Sequence, residues 1–287
     1  MSTIAENLRS AARALDRHSD SPRLDAELLL GRLLGLTRAA MIAHGEEPVA
    51  SDSEVEFAGL IEQRLRGAPV AYLTGTREFW SLALNVTPAV LVPRPETELL
   101  VELALQPPST PPSRPCAENQ YRVLDLGTGS GALALAIASE RPDWSVTGVD
   151  VSPPALEVAI RNSRDLKLTH IDWRLGDWFD AVAGERFDLI VANPPYVAAD
   201  DPALDSLRAE PVIALASGPG GLDALSLIAA QAAAHLRDRG RLILEHGSDQ
   251  GPAVAQLLER HGFQRVSSHL DFSGKPRATQ GTVHSLP

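Results

Sequence analysis

Hydrophobic residues at the start of the chain recur at the spacing of an amphipathic helix. The positions that share one face are Ile4, Leu8, Ala11 and Leu15. Thr3, followed by Glu6, has the pattern of a capping box, in which each residue satisfies a free backbone N–H of the other. The pattern therefore predicts a first helix that begins directly after Thr3.

Two further helices are predicted in the same region. Ser21 and Pro22 mark a helix start. The side of this helix that is predicted to face the core carries Leu24, Leu28 and Leu29. Residues 53–66 fit a third helix, and its apolar face carries Phe57, Ile61 and Leu65. We predict that residues 1–75 form a small all-helical domain with these side chains in its core.

The spacing of the apolar residues changes after Gly75 from that of a helix to the alternation of a strand. Alternate residues over 81–86 are apolar, which predicts a half-buried strand and a hairpin over residues 76–92 that bridges two domains. Residues 107–115 contain five prolines, so residues 107–120 are predicted to form an exposed Pro-rich loop. Cys116 in this segment is interpreted as an inert surface thiol.

Strands alternate with helices from Tyr121 onward. Strands are predicted over residues 123–126, 145–149, 187–192 and 241–245, and helices over 132–140, 154–163, 222–236 and 252–261, followed by two terminal strands. This alternation predicts an α/β domain over residues 93–287, with a doubly wound, mostly parallel, Rossmann-like sheet. Ligands of such sheets bind beyond the carboxyl ends of the strands.

Composition narrows the possible functions. The 287 residues include 26 basic and 37 acidic side chains, a formal charge of −11, which disfavours broad binding to a nucleic-acid backbone. With one cysteine and no HExxH pair, neither a disulfide nor a metal site is expected. The absence of a secretory signal and of a membrane-spanning stretch predicts a soluble, cytoplasmic protein with no membrane partner.

The run DLGTGSGA, residues 125–132, joins a predicted strand to a helix. Glycines at 127, 129 and 131 allow a tight turn whose backbone a ligand can approach closely. Asp150 ends the next strand, where a carboxylate can accept hydrogen bonds from both ribose hydroxyls of a nucleoside. The turn also satisfies the dinucleotide pattern, so the glycines by themselves leave NAD open.

An apparent further strand, the third of the sheet along the chain, comes between those over 145–149 and 187–192, and the two residues that follow it are expected in the same crevice. Trp178 could cover one face of an adenine, and Asp177 could accept a hydrogen bond from its amino group. Trp144 and Trp173 are expected to pack elsewhere, because a tryptophan usually lies in a core.

The buried strand over 187–192 runs into Asn193-Pro194-Pro195-Tyr196. The Pro194 carbonyl and the Asn193 side-chain carbonyl form a paired acceptor for a planar NH₂ group, and Tyr196 offers an aromatic face. Such a nitrogen is a poor nucleophile because its lone pair is delocalised, and holding both hydrogens aims that pair at an electrophile. The fitting electrophile is the methyl group of S-adenosylmethionine. An adenine, a guanine or a glutamine side chain could supply the NH₂ group.

Longer motifs resemble one family. Residues 77–98 read REFWSLALNVTPAVLVPRPETE, and the stretches DLGTGSGALALAIA, GDWFDA, VANPPYV and DFSGKPR follow. Together they resemble the HemK/PrmC-type family of protein-(glutamine-N5) methyltransferases, which modify peptide chain release factors. The resemblance covers nearly the whole chain, and LVPRPETE combined with NPPY is its most specific part.

The resemblance implies a seven-stranded methyltransferase sheet, S-adenosylmethionine as cofactor, and class I release factors as partners. The glutamine of their Gly-Gly-Gln loop would be the substrate, docked with help from the amino-terminal helices. Implied glutamine-binding residues are Asn193, Pro194, Pro195 and Tyr196, with Asn193, Pro194 and Tyr196 catalytic. Cofactor contacts, with Asp177 added from its position, are Gly127, Thr128, Gly129, Ser130, Gly131, Asp150, Asp177, Trp178 and Asn193.

Alternative functions fit these residues less well. A DNA adenine methyltransferase needs a basic module that reads its target, whereas residues 1–80 carry 9 basic and 12 acidic side chains. A ribosomal-protein glutamine methyltransferase shares NPPY but differs around PRPETE. A regulator that only binds the cofactor would need neither Asn193 nor Tyr196, and an NAD oxidoreductase lacks an evident proton donor.

Four residues near the hairpin are left with two interpretations. These residues are Phe79, Trp80, Arg94 and Glu96. They either line the mouth of the site or serve hairpin packing and a surface ion pair.

Overall fold

The computed structural model describes residues 1–106 and 120–283. The chain divides into two compact units, Met1–Thr76 and Arg77–Pro287. Most of the Pro-rich segment, including Cys116, lies outside the described residues, so the predictions made for it stay predictions. No helix within the two described ranges is long and apolar enough to cross a bilayer.

The first unit is built from helices. They are α1 (Ile4–Leu15), α2 (Pro22–Leu34), α3 (Arg38–Ala43), α4 (Ser51–Leu65) and α5 (Val70–Thr74). The capping box of α1 is present: the Glu6 backbone N–H donates to Thr3 Oγ1 at 3.2 Å, and the Thr3 N–H donates to Glu6 Oε2 at 2.9 Å. The four apolar positions predicted for α1 are all buried, which confirms this helix and its inward face.

The prediction for α2 was wrong in part. Leu24 and Leu28 are 37% and 42% exposed, and only Leu29 of the predicted face is buried. The inward face instead includes Asp25, whose carboxylate accepts a hydrogen bond from Arg64 Nε at 2.8 Å. The buried residues of this helix are Asp25, Ala26, Glu27, Leu29, Leu30 and Gly31. Because leucines lie around its whole circumference, the sequence gave no signal for which face turns inward. Helices α3 and α5 were missed because six and five residues show too little periodicity.

The second unit begins with a hairpin and continues as an α/β domain. Its helices are α6 (Glu98–Leu105), α7 (Ala132–Glu140), α8 (Pro153–Asp165), α9 (Ala203–Ser206), α10 (Asp223–Ala232) and α11 (Gly251–Arg260). Its strands are β1 (Thr76–Phe79), β2 (Leu82–Asn85), β3 (Arg122–Leu126), β4 (Ser145–Asp150), β5 (Asp172–Leu175), β6 (Phe187–Ala192), β7 (Leu236–Glu245), β8 (Gln264–Leu270) and β9 (Pro276–Thr282). The helix predicted over 222–236 is observed as α10 followed by a 3₁₀ turn over Ala233–His235, and Leu236 already pairs with Phe187 in the sheet.

Seven strands form one sheet in the order β5-β4-β3-β6-β7-β9-β8. Strands β3 to β7 are parallel, and β9 runs antiparallel to both of its neighbours. The predicted doubly wound, mostly parallel sheet is therefore confirmed. Strand order reverses between β3 and β6, and the crevice at such a switch point is where these sheets bind ligands.

Successive residues of the central strands enter two separate cores. Val123 and Val191 pack on the side of helices α6 and α7. Leu124 and Ile190 pack on the opposite side with helices α10 and α11. A strand covered on both faces must be apolar at nearly every position, which explains the continuous run over 187–192.

The hairpin is joined to the glycine turn by one side chain. Its two-residue turn, Trp80 and Ser81, has φ of 52° and 59°, as the right-handed twist of the strands requires. Asn162 on α8 accepts the Asn85 backbone N–H at 2.7 Å and donates to the carbonyl oxygens of Asn85 and Ser130 at 3.0 and 2.9 Å. Asn162 is fully buried, so it fixes the hairpin against the turn that follows β3.

We predict that Gly148→Ala destabilises the α/β domain. A Cβ at Gly148 would lie 2.5 Å from Cζ3 of Trp173, and overpacking of this kind costs about 1–3 kcal/mol. Chemical denaturation of the two proteins measures the loss. Gly220→Ala is the matched control, since no atom lies within 4 Å of its added Cβ; equal stability of the Gly148 variant and this control would contradict the packing argument.

Candidate active site

A cavity of about 380 Å³ lies at the carboxyl ends of the parallel strands, at the switch point between β3 and β6. It brings together most of the site residues predicted from sequence. The predicted residues that line it are Gly127, Thr128, Gly129, Ser130, Asp150, Asp177, Trp178, Asn193 and Pro195. Gly131, Pro194 and Tyr196 are not part of its wall.

The glycine turn is fastened to the end of β4. The backbone N–H groups of Gly127 and Thr128 donate to the carbonyl oxygen of Val149 at 2.9 and 3.0 Å. Gly127 and Gly129 have φ of 69° and 56°, a left-handed conformation that side chains with a Cβ rarely adopt. The turn therefore presents bare backbone to the cavity.

Asp150 is held with its carboxylate over this turn. Its Oδ2 accepts the Gly129 backbone N–H at 2.8 Å, and its Oδ1 accepts the Ser152 N–H at 2.9 Å. Burial raises the pKa of Asp150, and these backbone donors offset part of that rise. Each oxygen keeps a further lone pair, so the carboxylate can still accept hydrogen bonds from two hydroxyl groups of a ligand.

A second acid, Asp125, lies beneath the turn and was not singled out from sequence. Its Oδ2 accepts hydrogen bonds from Thr128 Oγ1 at 2.6 Å and from the Ala134 backbone N–H at 3.2 Å. Burial raises the pKa of Asp125 to about 7. The side chain thus couples the turn to the first turn of α7, and the signal available for it was its place at the head of DLGTGSGA.

Gly131 serves packing. A Cβ at Gly131 would lie 3.0 Å from both Leu135 Cδ1 and Trp173 Cη2, and its φ is 83°. It ends the turn and lets helix α7 approach Trp173 closely. Glycine is therefore required at this position for packing, although the residue does not line the cavity.

Trp178 and Asp177 both line the cavity. Trp178 is half-buried with a φ of 46°, and its Cζ3 lies 3.7 Å from where a Cβ on Gly127 would be. Its ring thus stands close to the glycine turn, as the sequence argument requires. Trp173 packs against Gly148, and the ring centroid of Trp144 lies 4.3 Å from that of Tyr121. Both are away from the cavity, as expected.

Asn193 and Pro194 present two carbonyl oxygens at the start of the loop after β6. The Asn193 amide donates through Nδ2 to Thr97 Oγ1 at 3.1 Å. Within residues 1–106 and 120–283, neither Asn193 Oδ1 nor the Pro194 carbonyl accepts a hydrogen bond from the protein. Two adjacent acceptors without a protein donor can bind the two hydrogens of a planar NH₂ group.

Tyr196 is held by hydrogen bonds at its hydroxyl and at its backbone carbonyl. Its hydroxyl donates to Glu245 Oε1 at 3.1 Å, and its backbone carbonyl accepts from Gln250 Nε2 at 2.9 Å. Burial raises the pKa of Tyr196 further above its usual range, so the phenol stays protonated and remains a donor. These bonds fix the position of the aromatic ring next to the paired acceptor.

A buried carboxylate joins the two chain segments that form the rim of the cavity. Glu210 accepts the Val92 backbone N–H at 2.9 Å and forms an ion pair with Arg94. Pro93 and Pro211, which adjoin these residues, both line the cavity. Arg94 therefore ties together the two segments that form the rim.

The remaining hairpin residues serve packing. Phe79 is buried in the core, and Trp80 donates through its backbone N–H to Glu98 and through Nε1 to Glu140, each at 2.9 Å. None of Phe79, Trp80, Arg94 and Glu96 lines the cavity. The packing interpretation holds for Phe79 and Trp80, whereas Arg94 pairs with the buried Glu210 at the rim and not with a surface acid.

Two further residues at the site were missed from sequence. Thr97 lines the cavity and belongs to the PRPETE stretch, whereas Glu245 is the last residue of β7. Burial raises the pKa of Glu245 to about 7, although the hydroxyls of Thr97 and Tyr196 favour its charged form. The position of Glu245 at the carboxyl end of a parallel strand was the available signal.

The residues of the cavity fit an adenosyl cofactor. The turn offers backbone without side chains, Asp150 offers a carboxylate, and Trp178 offers an aromatic surface. Within the described ranges, no group of three or more His, Cys, Asp or Glu side chains could hold a metal ion.

Comparison with known proteins gives two family matches. Residues 6–75 match the PrmC N-terminal domain, and residues 115–218 match the methyltransferase small domain. The first match falls on the helical unit, and the second covers β3 to β6 with the loop beyond them.

Two proteins of similar sequence share the same protein name. The chain is 51% identical to the release factor glutamine methyltransferase of Xylella fastidiosa, over 90% of this chain and 92% of that protein. It is 43% identical to the protein of that name from Escherichia coli, over 93% of this chain and 94% of that protein.

Similar solved structures share the fold. A methyltransferase from Pyrococcus furiosus matches with a TM-score of 0.53 and 16% identity, over 71% of this chain and 89% of that one. The human methyltransferase 10 domain containing protein matches with a TM-score of 0.50 and 16% identity, over 72% and 90% of the two chains.

We predict that Trp178→Ala weakens the binding of S-adenosylmethionine about tenfold. Stacking of a base on an aromatic side chain contributes about 1–3 kcal/mol, and the substitution removes that surface from the cavity wall. Isothermal titration calorimetry measures the change. Trp144→Ala, which removes the same ring outside the cavity, is the matched control, and equal affinities of the two variants would remove Trp178 from the binding site.

Proposed function

Since this chain belongs to the family of release factor glutamine methyltransferases, we propose that it methylates the glutamine of the Gly-Gly-Gln loop in class I peptide chain release factors. The methyl group of S-adenosylmethionine would be transferred to the side-chain amide nitrogen, with S-adenosylhomocysteine as the leaving group. The resemblance inferred from sequence is thus confirmed, and the chain is an S-adenosylmethionine-dependent methyltransferase.

The observation that carries this function is the pair of acceptors at Asn193 and Pro194. Nδ2 of Asn193 is already engaged with Thr97 Oγ1 at 3.1 Å, which leaves Oδ1 for a ligand. Proline cannot donate from its backbone, so no N–H competes at this corner. A carboxamide NH₂ matches this pair, whereas a hydroxyl or a thiol substrate would leave one acceptor unsatisfied.

The cofactor is held by the residues that form the turn and its surroundings. Gly127, Gly129 and Asp150 bind the nucleoside and the chain attached to it, with Trp178 against the base. When bound, S-adenosylmethionine supplies an activated methyl carbon. Asn193 lines the same cavity, so one member of the substrate acceptor pair adjoins the cofactor residues.

The substrate amide is oriented by the protein. Asn193 Oδ1 and the Pro194 carbonyl would hold its two hydrogens and thereby fix the plane of the amide. The nitrogen lone pair, which is perpendicular to that plane, can then face the cavity. This fixed geometry lowers the cost of bringing the reacting atoms into line. No strongly basic side chain is required, because the amide is positively charged once its nitrogen has accepted the methyl group and is then acidic enough to release a proton to water.

The alternatives left open by sequence are not favoured. The relatives of both 51% and 43% identity are named for release factors, which disfavours a ribosomal protein as substrate. The acidic balance of the chain, with a formal charge of −11, speaks against nucleic acid as substrate. We propose that the enzyme acts in the cytoplasm, where release factors work.

We predict that Asn193→Ala lowers kcat for methylation of a purified release factor about 100-fold. The loss follows from removal of one of two preorganised hydrogen-bond partners at the reacting group, whose effect is about 10²–10³-fold in other enzymes. Transfer of labelled methyl groups, followed by peptide mass mapping, measures the rate and the site. Calorimetric affinity for the cofactor should change far less; unchanged turnover would contradict the assigned role.

We propose that the helical unit docks the protein substrate. Leu24 and Leu28 lie one helical turn apart on α2 and are 37% and 42% exposed, and this apolar strip is the surface that we propose to contact the release factor. The double substitution Leu24→Asp, Leu28→Asp should raise KM for the intact release factor at least fivefold. The rate with a short Gly-Gly-Gln peptide is the control. An unchanged KM for the intact factor would exclude this strip.

A further inference from the structure

Two large apolar side chains are exposed beside the cavity. Val212 and Ile213 are each 63% exposed and lie on the 3₁₀ turn Val212–Ala214. Ile213 also lines the cavity. A side chain that lines a cavity while most of its surface is accessible to solvent must lie at the cavity mouth. Val212 and Ile213 are called the apolar lip below.

The apolar lip is attached to the corner that holds the acceptor pair. Val197 directly follows the Asn193–Tyr196 corner and donates its backbone N–H to the Leu215 carbonyl oxygen at 2.9 Å. The Val197 carbonyl oxygen accepts the Ser217 N–H at 2.9 Å. The turn that carries the apolar lip therefore leads into a segment that pairs with the chain directly after the corner.

The conformation of this turn is fixed by its own backbone and by its neighbours. The N–H groups of Leu215 and Ala216 donate to the Val212 carbonyl oxygen at 3.0 and 2.9 Å, and Leu215 is buried. Before the turn, the buried Glu210 accepts the Val92 N–H at 2.9 Å. Because the backbone is already fixed, little conformational entropy is lost when a partner covers the apolar lip.

Exposure by itself does not single out these residues. Leu270 and Phe272 are 58% and 82% exposed, but neither lines the cavity. Val151 is exposed and lines the cavity, but it directly follows Asp150, which belongs to the cofactor residues. In the described part of the chain, Ile213 is the exposed large apolar side chain that lines the cavity from the segment paired with the substrate corner.

We propose that the apolar lip contacts the residues of the release factor that directly adjoin the methylated glutamine. The inference rests on the proposed function, because it names the surface that receives the polypeptide of that substrate. A glutamine side chain has only two methylene groups between its amide and the backbone. With the amide bound at Asn193 and Pro194, the substrate backbone must cross the cavity mouth, where the apolar lip lies.

The chemistry of the apolar lip decides which kinetic constant it affects. Covering the side chains of Val212 and Ile213 removes apolar surface from water, which favours binding. Neither side chain can form a hydrogen bond to the reacting amide. The contribution to binding is then the same before and during methyl transfer, so its loss should raise KM and leave kcat unchanged.

The test uses the full-length enzyme with two substrates, a purified release factor and a short peptide that contains its Gly-Gly-Gln sequence. Val212 and Ile213 are changed together to aspartate, to alanine or to leucine. The matched control combines Leu270→Asp with Phe272→Asp, because these residues are also apolar and exposed but lie outside the cavity. The measurements are kcat, KM, affinity for S-adenosylmethionine, thermal unfolding and sedimentation of the enzyme alone.

The variant with Val212→Asp and Ile213→Asp should raise KM about tenfold for both substrates, because covering the lip would also take two charges out of water. The variant with two alanines should raise KM about fivefold through the loss of apolar surface. The variant with two leucines keeps that surface and should stay within about threefold of wild type, as should kcat and cofactor affinity in every variant. The control should match wild type.

An unchanged KM in the aspartate and alanine variants overturns the inference, as does an equal rise in the control. The alanine variant decides the question even where the aspartate variant does not fold. A KM that rises for the intact factor but not for the peptide places the contact away from the glutamine and overturns the inference. A loss of cofactor affinity as large as the rise in KM overturns it as well, since the lip would then serve the cofactor.

Other outcomes separate this inference from competing explanations. If the apolar lip joins two copies of this chain, wild type sediments as a dimer and the aspartate variant as a monomer with unchanged KM, which overturns the inference. A wild-type enzyme that leaves the release factor unmethylated overturns the proposed function and this inference with it. A wild type that methylates the factor while the lip variants match its KM overturns the inference alone.

Discussion

The parallel pairing of β3 with both β4 and β6 is the constraint on which the site depends. In this register Leu126 is opposite Val149 on one side and opposite Ala192 on the other. The residues that follow on the three strands are Gly127, Asp150 and Asn193, so they leave the sheet at the same level. A slip of one residue in either pairing would separate the cofactor turn from the substrate acceptors.

Buried carboxylates organise the surroundings of the cavity. Asp125 supports the glycine turn, Glu210 joins the two segments of the rim, and Glu245 contacts the Asn193–Tyr196 segment. Burying a carboxylate is unfavourable unless it receives hydrogen bonds, and each of these acids receives at least one. The energy of a buried carboxylate depends on which hydrogen-bond donors surround it. These acids therefore favour a single arrangement of the side chains around the cavity.

The sequence also predicted most of the secondary structure of the α/β domain. The apolar run over 187–192 and the helix over 132–140 have the bounds expected of them, because burial on both faces leaves a strong local pattern. The helical unit was harder to predict from sequence. Leu24 and Leu28 were predicted to lie in a core that they do not enter, since leucines around the whole helix give no periodic signal for its inward face.

By itself the sequence determined the fold class, the glycine turn with Asp150, and the Asn193–Tyr196 corner, because each of these is a short stretch whose residue types carry the chemistry. The tertiary structure alone decided how the pieces are held. Thr97 and Glu245 lie far from Asn193 along the chain, and Arg94 meets Glu210 only in the folded protein. Contacts of this kind leave no periodic or local signal in the sequence, since they form only where distant segments of the folded chain meet beside the sheet.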